Sequence, residues 1–337
     1  MIQKLISNDE RILVAGSTGM AGSAICRKLS EKGYGSKASN GSLLCPNRID
    51  LDLFNKKALE EWFKKNRPTV VIDAAAKVGG IYANSIYPAE FLLENLKIQN
   101  NLIEISWRFG VKRFLFLGSS CIYPKFSKQP IREESLLNGE LEETNLGYAL
   151  AKISGIKLCE FLRFQYDFDA ISLMPTNLYG PKDNYHPNNS HVMASLISKF
   201  SNATFNNERK VICWGSGKPM REFMHVDDLA DAVIFTLEHW DPNANDAPIN
   251  EKGQKLTYLN VGTGKDISIK ELSKKIAKAS NFKGEIIWDL DKPDGVPKKQ
   301  LDVSRIQNLG WKSSIDLDSG IKNTVKEYQE IIFKSKK

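Results

Sequence analysis

The first half of the chain alternates short apolar runs with longer stretches in which apolar residues recur every three or four positions. The runs predict strands, and the longer stretches predict helices. The predicted strands cover residues 11–15, 42–45, 69–75, 113–118 and 169–174, and the predicted helices cover residues 23–33, 55–66, 88–109 and 145–166. This alternation predicts an α/β fold whose parallel sheet carries helices on both faces, with ligands beyond the carboxyl ends of the strands.

The pattern becomes less regular after Gly180. Residues 181–190 are rich in Pro, Asn, Asp and His and predict a loop, and shorter elements follow. The later strands are predicted at residues 211–215, 258–261 and 285–288, and the later helices at residues 191–200, 226–240, 268–280 and 319–333. We therefore expect a cofactor domain over residues 1–180 plus about 222–262, and a smaller C-terminal α/β substrate lobe over residues 181–221 and 263–337.

A glycine-rich turn lies between the first predicted strand and the first predicted helix. In Gly16-Ser-Thr-Gly19-Met-Ala-Gly22, the first glycine allows a tight turn, the second allows close approach of a pyrophosphate, and the third allows close packing of the helix. The N–H groups at the helix N-terminus would bind the anion. The glycines are spaced in threes, so a turn without ligand is the alternative. The candidate cofactor residues here are Gly16, Ser17, Thr18, Gly19, Met20, Ala21 and Gly22.

Tyr148 and Lys152 are four residues apart within one predicted helix. Residues at this spacing share a helix face, so the lysine charge is expected to lower the pKa of the phenol. Ser119, at the end of the preceding strand, would hydrogen-bond the same substrate oxygen. An ordinary amphipathic helix is the alternative. The upstream glycine turn and the order Ser, then Tyr-x-x-x-Lys, favour a proton relay between a carbonyl or alcohol and the enzyme.

Composition adds only broad limits. The chain has 337 residues, 42% hydrophobic content and a net charge of +7. The net charge suits an anionic small molecule as well as it suits nucleic acid, so it decides little. The basic clusters are short and typical of solvated surfaces, and the expected partner is a small molecule and no nucleic acid. We expect no membrane span and no signal peptide, because apolar runs of the required length are missing from the sequence. The five cysteines follow no zinc or disulfide spacing, which favours no metal site and a reducing cytoplasm.

Longer sequence blocks resemble the extended short-chain dehydrogenase/reductase superfamily and, more narrowly, the family of GDP-L-fucose synthases. The resemblance covers nearly the whole length. It is carried by residues 74–81 (AAAKVGGI), 117–124 (LGSSCIYP), 148–152 (YALAK), 174–181 (MPTNLYGP), 186–191 (HPNNSH), 214–217 (WGSG) and 220–228 (MREFMHVDD). It implies a Rossmann-type doubly wound sheet. It also implies a two-step reaction, in which GDP-4-keto-6-deoxy-D-mannose is epimerised at C3 and C5 and then reduced at C4 to GDP-L-fucose.

The resemblance assigns roles to five residues. Cys121 resembles the epimerisation base and His191 the acid that returns the proton, with His186 as a nearby competitor. Tyr148 would protonate the C4 oxygen and, with Ser119, stabilise the enolate. Lys152 would tune Tyr148 and bind the nicotinamide ribose. The structural alternatives are a small buried cysteine at Cys121 and a helix-capping histidine at His191.

The resemblance also implies contacts to the two ligands. Further cofactor contacts would come from Arg48, Leu117, Gly118, Ser119, Ser120, Lys152, Pro175, Thr176, Asn177, Leu178 and His191. The GDP-sugar would contact Lys199, Trp214, Arg221, Asp294 and Lys299. Arg221 and Lys299 would pair with the diphosphate, and Trp214 would pack on the base or sugar. A solvated helix lysine is the alternative at Lys199, where the family more often has arginine.

The expected cofactor is NADPH, with NADH as the alternative. The family commonly carries basic residues in the glycine turn and after the second strand, where this chain has Ser17-Thr18 and Pro46-Asn47. Arg48 is the only basic residue close to these positions, and Asp50 is close enough to bind a free ribose hydroxyl.

Two alternative functions are weighed against the two-step reaction. One is an epimerase or reductase of another GDP-linked 4-keto sugar, such as a heptose or a rhamnose-type product; the other is a non-catalytic cofactor sensor. The Cys121/His191 pair argues for epimerisation, and the Ser119, Tyr148 and Lys152 set argues against a sensor.

The long helices over residues 88–109 and 145–166 imply, through the resemblance, a homodimer.

Overall fold

A computed structural model describes residues 4–187, 189–292 and 294–335. The strands are β1 (Arg11–Ala15), β2 (Ser42–Leu44), β3 (Val70–Asp73), β4 (Arg113–Leu117), β5 (Ala170–Pro175), β6 (Asn177–Tyr179), β7 (Lys210–Trp214), β8 (Met220–His225), β9 (Tyr258–Val261), β10 (Asp266–Ser268), β11 (Glu285–Asp289) and β12 (Lys298–Lys299). The helices are α1 (Met20–Glu31), α2 (Lys56–Asn66), α3 (Ile81–Ile86), α4 (Pro88–Arg108), α5 (Leu146–Tyr166), α6 (Val192–Phe205), α7 (Val226–His239), α8 (Ile269–Ala279), α9 (Ser304–Asn308) and α10 (Leu317–Ser335). Among the described residues, no helix is long and apolar enough to cross a membrane.

The larger sheet confirms the predicted fold class. Within the described residues it has six parallel strands in the order β2-β1-β3-β4-β5-β9. Strands β3, β4 and β5 are buried along their whole length, as expected for a sheet covered on both faces. The chain runs outward from β1 in both directions, so the order reverses beside β1. Ligands of such sheets bind in the crevice at this reversal.

A second set of strands lies on the carboxyl side of the larger sheet. Strand β8 pairs with β6 and β12 in parallel and with β10 in antiparallel orientation, while β7 pairs with β11. Helices α6, α8 and α10 share a separate apolar core. Glu222, on β8, links the segments next to β10 and β12, since its carboxylate accepts hydrogen bonds from the N–H groups of Gly264 and Leu301. The predicted division into residues 1–180 with 222–262 and the remaining lobe stays a prediction.

The long elements begin and end within a few residues of their predicted bounds. Pro88 stands at the first turn of α4, Asn55 caps α2 through its side chain, and Ser268 and Glu271 form a capping box at α8. The sequence analysis did not predict β6, β8, β10, β12, α3 or α9. These elements span six residues or fewer, too short to establish a periodic pattern.

Candidate active site

The glycine turn between β1 and α1 has the shape of a pyrophosphate site. Gly16 has φ +77°, and a Cβ there would lie 2.8 Å from the Ala74 carbonyl oxygen. A Cβ on Gly22 would lie 2.1 Å from the Gly16 oxygen. Gly19 is the N-cap of α1, and the first turn of this helix carries no acidic residue. Both the unpaired N–H groups and the helix dipole therefore suit an anion, and the turn fits a dinucleotide.

The expected ribose side of this turn has one fixed contact. The Ser17 hydroxyl donates to the Pro46 carbonyl over 2.7 Å and so joins the turn to the segment after β2. The side chain of Arg48 is exposed and lies over the Phe54 ring, 5.4 Å from its centroid. Asp50 accepts a hydrogen bond from the Asn47 N–H over 3.3 Å, within the same exposed loop. Neither Arg48 nor Asp50 is held in one place against the turn by these contacts.

Ser119, Cys121 and Tyr148 come together at the carboxyl end of β4. The Ser119 hydroxyl accepts a hydrogen bond from the Cys121 N–H over 3.2 Å and thereby caps a 3-10 turn over Ser120–Ile122. It also hydrogen-bonds the Tyr148 phenol. Gly118 is needed beside this group because a Cβ there would lie 2.6 Å from the Met174 sulfur. One hydroxyl therefore contacts both the Cys121 backbone and the Tyr148 phenol at the strand end.

The expectation that Lys152 lowers the pKa of Tyr148 is wrong in this structure. Burial raises the pKa of Tyr148, and a Cys121 thiolate would raise it further, while the bond from Ser119 opposes both effects. The Lys152 ammonium donates to the Leu117 carbonyl over 2.8 Å and lies 4.5 Å from the centre of the Phe116 ring, and it does not contribute to the pKa shift of Tyr148. The phenol therefore stays protonated at neutral pH and is suited to donate a proton.

Asp73 is a buried carboxyl group that the sequence analysis treated only as part of a strand. It ends β3 opposite Phe116 and is 0% exposed. One of its oxygens accepts from the Ala75 N–H over 3.1 Å, and the other has no hydrogen-bond partner among the described residues. Burial raises the pKa of Asp73 to about 6, and Lys152 opposes this shift. The sequence feature that could have identified Asp73 is its place as an aspartate at the carboxyl end of an apolar strand.

Asp73 and Lys152 influence one another's charge. Burial lowers the pKa of Lys152 to about 8, and the charge of Asp73 acts in the opposite direction, favouring the protonated ammonium. Each charge therefore favours the charged form of the other group. The Leu117 carbonyl at the end of β4 thus fixes the position of the Lys152 ammonium, and Asp73 at the end of β3 raises its pKa.

His191 lies on a different part of the structure, as the N-cap of α6. The preceding loop reaches the segment after β3, where the Gly80 N–H donates to the Asn189 carbonyl over 3.0 Å. Desolvation by the surrounding protein lowers the pKa of His191, although part of its surface is exposed. Across the described ranges, no hydrogen bond joins His191 to Cys121, so the proposed acid and base are not in direct contact.

Two of the predicted cofactor residues use their side chains within the protein. The Thr176 hydroxyl and the Asn177 amide both donate to the Glu222 carbonyl, over 3.1 and 2.8 Å. Pro175 ends β5, and Leu178 lies in β6 directly beyond it. This segment therefore fixes the second sheet to the carboxyl edge of the first, and its backbone and apolar surfaces are what it can offer a cofactor.

The predicted sugar-nucleotide residues divide into an aromatic group and a cationic pair. Trp214 ends β7 with 58% of its surface exposed, and the Lys199 ammonium lies 5.4 Å from its ring centroid. Lys199 also donates to the Ile212 carbonyl over 2.9 Å. The nearby Asp294 accepts hydrogen bonds from both the N–H and the hydroxyl of Ser216. An exposed indole with an adjacent cation suits a planar, anionic ligand.

Arg221 and Lys299 are partners in the β8–β12 register. Two cations side by side on paired strands suit a diphosphate. The Arg221 guanidinium donates to the carbonyls of Met220 and Val296. Burial lowers the pKa of Arg221, and the nearby Cys121 opposes this shift. Arg221 therefore lies between two groups of residues. One is the expected nucleotide surface around Trp214, and the other is the set of relay residues Ser119, Cys121 and Tyr148.

Comparison with known proteins identifies the family of the chain. The profile of the NAD dependent epimerase/dehydratase family matches residues 12–250. The chain is 47% identical to the Probable GDP-L-fucose synthase 1 of Oryza sativa subsp. japonica, over 97% of this chain and 94% of the relative. It is also 47% identical to the GDP-L-fucose synthase of Escherichia coli (strain K12), over 95% of this chain and 97% of the relative.

A solved structure adds a relative that is named for a different activity. The GDP-mannoheptose C4 reductase from Campylobacter jejuni, solved with NADP bound, superposes with a TM-score of 0.83 at 34% identity. The match covers 96% of this chain and 99% of that one. The chain thus belongs to the NAD dependent epimerase/dehydratase family and, within it, to the family of GDP-L-fucose synthases.

Proposed function

We propose that this protein converts GDP-4-keto-6-deoxy-D-mannose to GDP-L-fucose with NADPH, by epimerisation at C3 and C5 followed by reduction at C4. The observation that carries this proposal is the 47% identity to relatives with that name over nearly the whole chain. The clustering of Ser119, Cys121 and Tyr148 at one strand end supports it independently, because both steps act on carbons next to or at one carbonyl.

The glycine turn and Lys152 hold the cofactor. The N–H groups at the start of α1 bind the pyrophosphate, and Gly16 and Gly22 keep the turn compact enough for this approach. When bound, NADPH supplies the hydride that reduces C4. Lys152 is held by the Leu117 carbonyl at the end of β4, from where its remaining N–H groups are available to ribose hydroxyls.

Epimerisation uses Cys121 as the base and His191 as the acid. Protons next to a ketone are acidified, and inversion requires removal on one face and return on the other. Arg221 is near Cys121, so the proposed base lies beside the cation that would bind the diphosphate. The hydroxyls of Ser119 and Tyr148 donate to the ketone oxygen as it becomes an enolate. His191 would deliver the new proton from the loop that faces this edge.

Reduction uses Tyr148 as the proton donor. The neutral Tyr148 phenol would donate its proton to the C4 oxygen and so neutralise the negative charge that develops there during reduction. The raised pKa of Tyr148 keeps the phenol protonated until that moment. The bond from Ser119 then stabilises the phenolate that remains.

The GDP portion would occupy the surface from Trp214 to Arg221. The indole offers a face for the base or sugar, and Lys199 and Asp294 flank it. Arg221 and Lys299 neutralise the diphosphate. Arg221 would bind the diphosphate and also lies near Cys121. The sugar attached to the diphosphate would therefore extend toward Cys121.

The direct test incubates purified protein with GDP-4-keto-6-deoxy-D-mannose and either NADPH or NADH, and identifies the product by NMR. The proposal predicts GDP-L-fucose, formed faster with NADPH. A product reduced at C4 without inversion at C3 and C5 would overturn it and indicate a plain C4 reductase, the activity for which the Campylobacter relative is named. A parallel reaction with a GDP-4-keto heptose then distinguishes the preferred sugar.

We also propose a homodimer built on α4 and α5, in a reducing compartment such as the cytoplasm. Helix α5 exposes Leu150, Phe161 and Phe164 along one side, and Phe164 is 90% exposed. A stable dimer typically buries about 1,200 Å² or more in total, and such a stripe suits that burial. Light scattering at micromolar concentration should give a dimer. Phe161→Glu should give a monomer, while Ile49→Glu, on an exposed loop, should not.

A further inference from the structure

Cys26 and Cys45 form a close pair beside the glycine turn. Cys26 lies in α1 and Cys45 directly follows β2. Their sulfur atoms are 2.7 Å apart, although the residues are separated by 19 positions in the sequence. This separation is much shorter than an ordinary contact between two sulfur atoms, and a disulfide bond has a length of about 2.05 Å. Only a small movement would therefore be needed to join them.

The surroundings of the pair favour reaction at Cys45. Cys45 is exposed, whereas Cys26 is half-buried. Either sulfur can be the donor in the contact between Cys26 and Cys45, and this contact lowers the pKa of Cys45 and raises the pKa of Cys26. A thiolate that is both stabilised by a neighbour and exposed is the form of cysteine that attacks disulfides. The other cysteines lie elsewhere, with Cys159 and Cys213 buried.

The segment that carries Cys45 is held against the turn. Pro46, the next residue, accepts the hydrogen bond from the Ser17 hydroxyl. Strand β2 is fixed to β1 by the register from Arg11 with Ser42 to Leu13 with Leu44. The two sulfur atoms are therefore brought together by the fold itself and not by a loose loop.

We propose that Cys26 and Cys45 are a modification site, which low-molecular-weight disulfides such as glutathione disulfide oxidise reversibly to an intramolecular disulfide. The Cys45 thiolate attacks one sulfur of glutathione disulfide, forms a mixed disulfide and releases one glutathione thiolate. Cys26 then attacks the Cys45 sulfur, which breaks the mixed bond and releases the second glutathione thiolate. The two glutathione thiolates take up the protons of the two protein thiols, so one disulfide is reduced for each one formed.

The product ties α1 to the carboxyl end of β2, across the edge of the expected cofactor pocket. A disulfide between positions that are already adjacent in the fold restricts the unfolded chain more than it strains the folded one. We expect the melting temperature of the oxidised protein to rise by about 5 °C, and the rise to disappear on reduction with dithiothreitol. This stabilisation distinguishes a pair positioned by the native fold from oxidation of partly unfolded protein.

The test incubates the folded full-length protein with glutathione disulfide and maps its peptides by mass spectrometry without reduction. The expected result is a cross-linked pair of peptides containing Cys26 and Cys45, with the rise in melting temperature described above. Cys26→Ser and Cys45→Ser should each abolish both. Cys121→Ser is the matched control, because it removes a half-buried thiol outside the pair, and it should retain the cross-link.

Three outcomes would overturn the proposal. The first is stable glutathione adducts on Cys45 without an intramolecular bond. The second is a cross-link that uses Cys121 in place of either partner. The third is a cross-link between Cys26 and Cys45 accompanied by a fall in melting temperature, since the fold would then have to distort to form it.

Discussion

The relay corner at the ends of β3 and β4 (Asp73, Ser119, Cys121, Tyr148 and Lys152) and the nucleotide surface around Trp214 differ in how far their side chains are buried. In the corner, Asp73 and Lys152 are 0% and 3% exposed, and burial shifts the pKa values of both. On the nucleotide surface, Trp214 is mostly exposed and Lys199 is held by a single backbone carbonyl. Interactions between charges are strong where solvent is excluded and weak where solvent is present. Changes in the corner should therefore alter the chemistry, whereas changes on the surface should alter binding.

The largest effect is expected in the corner, from removal of the proton donor. Tyr148→Phe should lower kcat for C4 reduction by about 10²–10⁴-fold while NADPH still binds, because only the donated proton is lost. Single-turnover kinetics and cofactor fluorescence measure the two properties. Tyr166→Phe, at the exposed end of the same helix, is the control and should leave both unchanged. Near-normal turnover in the Tyr148 variant would break the assignment.

A second effect in the corner concerns pH. The charge of Asp73 favours protonated Lys152, so Asp73→Asn should lower the pKa of Lys152 below about 8. Because we expect the protonated ammonium to support catalysis, the alkaline decline of kcat should move to lower pH, by up to about one unit. Below that decline, activity should be largely retained. The exposed Asp50→Asn is the control. An unchanged alkaline limb in Asp73→Asn would mean that the two groups are not coupled.

On the nucleotide surface, the expected effect is on KM. Trp214→Ala removes an exposed aromatic face, and such contacts contribute about 0.5–1.5 kcal/mol beyond burial, or roughly 2–10-fold in affinity. KM for the GDP-sugar should rise by that factor with kcat little changed. Phe126→Ala, another exposed aromatic, serves as the control. If Trp214→Ala lowered kcat and left KM unchanged, the expectation that this surface acts in binding and the corner acts in chemistry would be wrong.

The smallest effect is expected at Arg48. Its side chain is exposed, and exposed ionic contacts contribute only about 0.2–1 kcal/mol. Arg48→Ala should lower kcat/KM for NADPH by about fivefold or less and leave NADH unaffected. Arg108→Ala, exposed on α4, is the control. If the wild type prefers NADH, NADPH is the wrong cofactor and Asp50 becomes the candidate ribose contact.

The sequence analysis was most successful where long, repeated signals exist. Helices α4 and α5 and the apolar strands β3 and β4 have patterns several residues long, so both their type and their approximate bounds could be predicted. The two-residue strand β12 has no such pattern. It forms because β8 provides a partner, and this register is what places Lys299 beside Arg221. Such pairing depends on the assembled structure.

The site shows the same division. The glycine turn and the residues at strand ends follow from chain order, because parallel strands place their carboxyl ends at one edge. The direction of Lys152 does not follow from its spacing to Tyr148. A buried ammonium turns to whatever acceptor is available, here the Leu117 carbonyl, and its charge then depends on Asp73 from a different strand. Sequence spacing alone contains neither contact.

The central claim is that one corner performs two reactions with different residues, Cys121 for inversion and Tyr148 for reduction. The most direct measurement is NMR analysis of the products made in heavy water by Cys121→Ser, His191→Asn and wild type. The wild type should form GDP-L-fucose with deuterium at C3 and C5. Cys121→Ser should lose deuterium incorporation and still reduce C4, giving a GDP-6-deoxy sugar with uninverted C3 and C5, and His191→Asn should incorporate deuterium more slowly. Exchange at the wild-type rate in both variants would contradict the claim, because the inversion would then be performed by other residues.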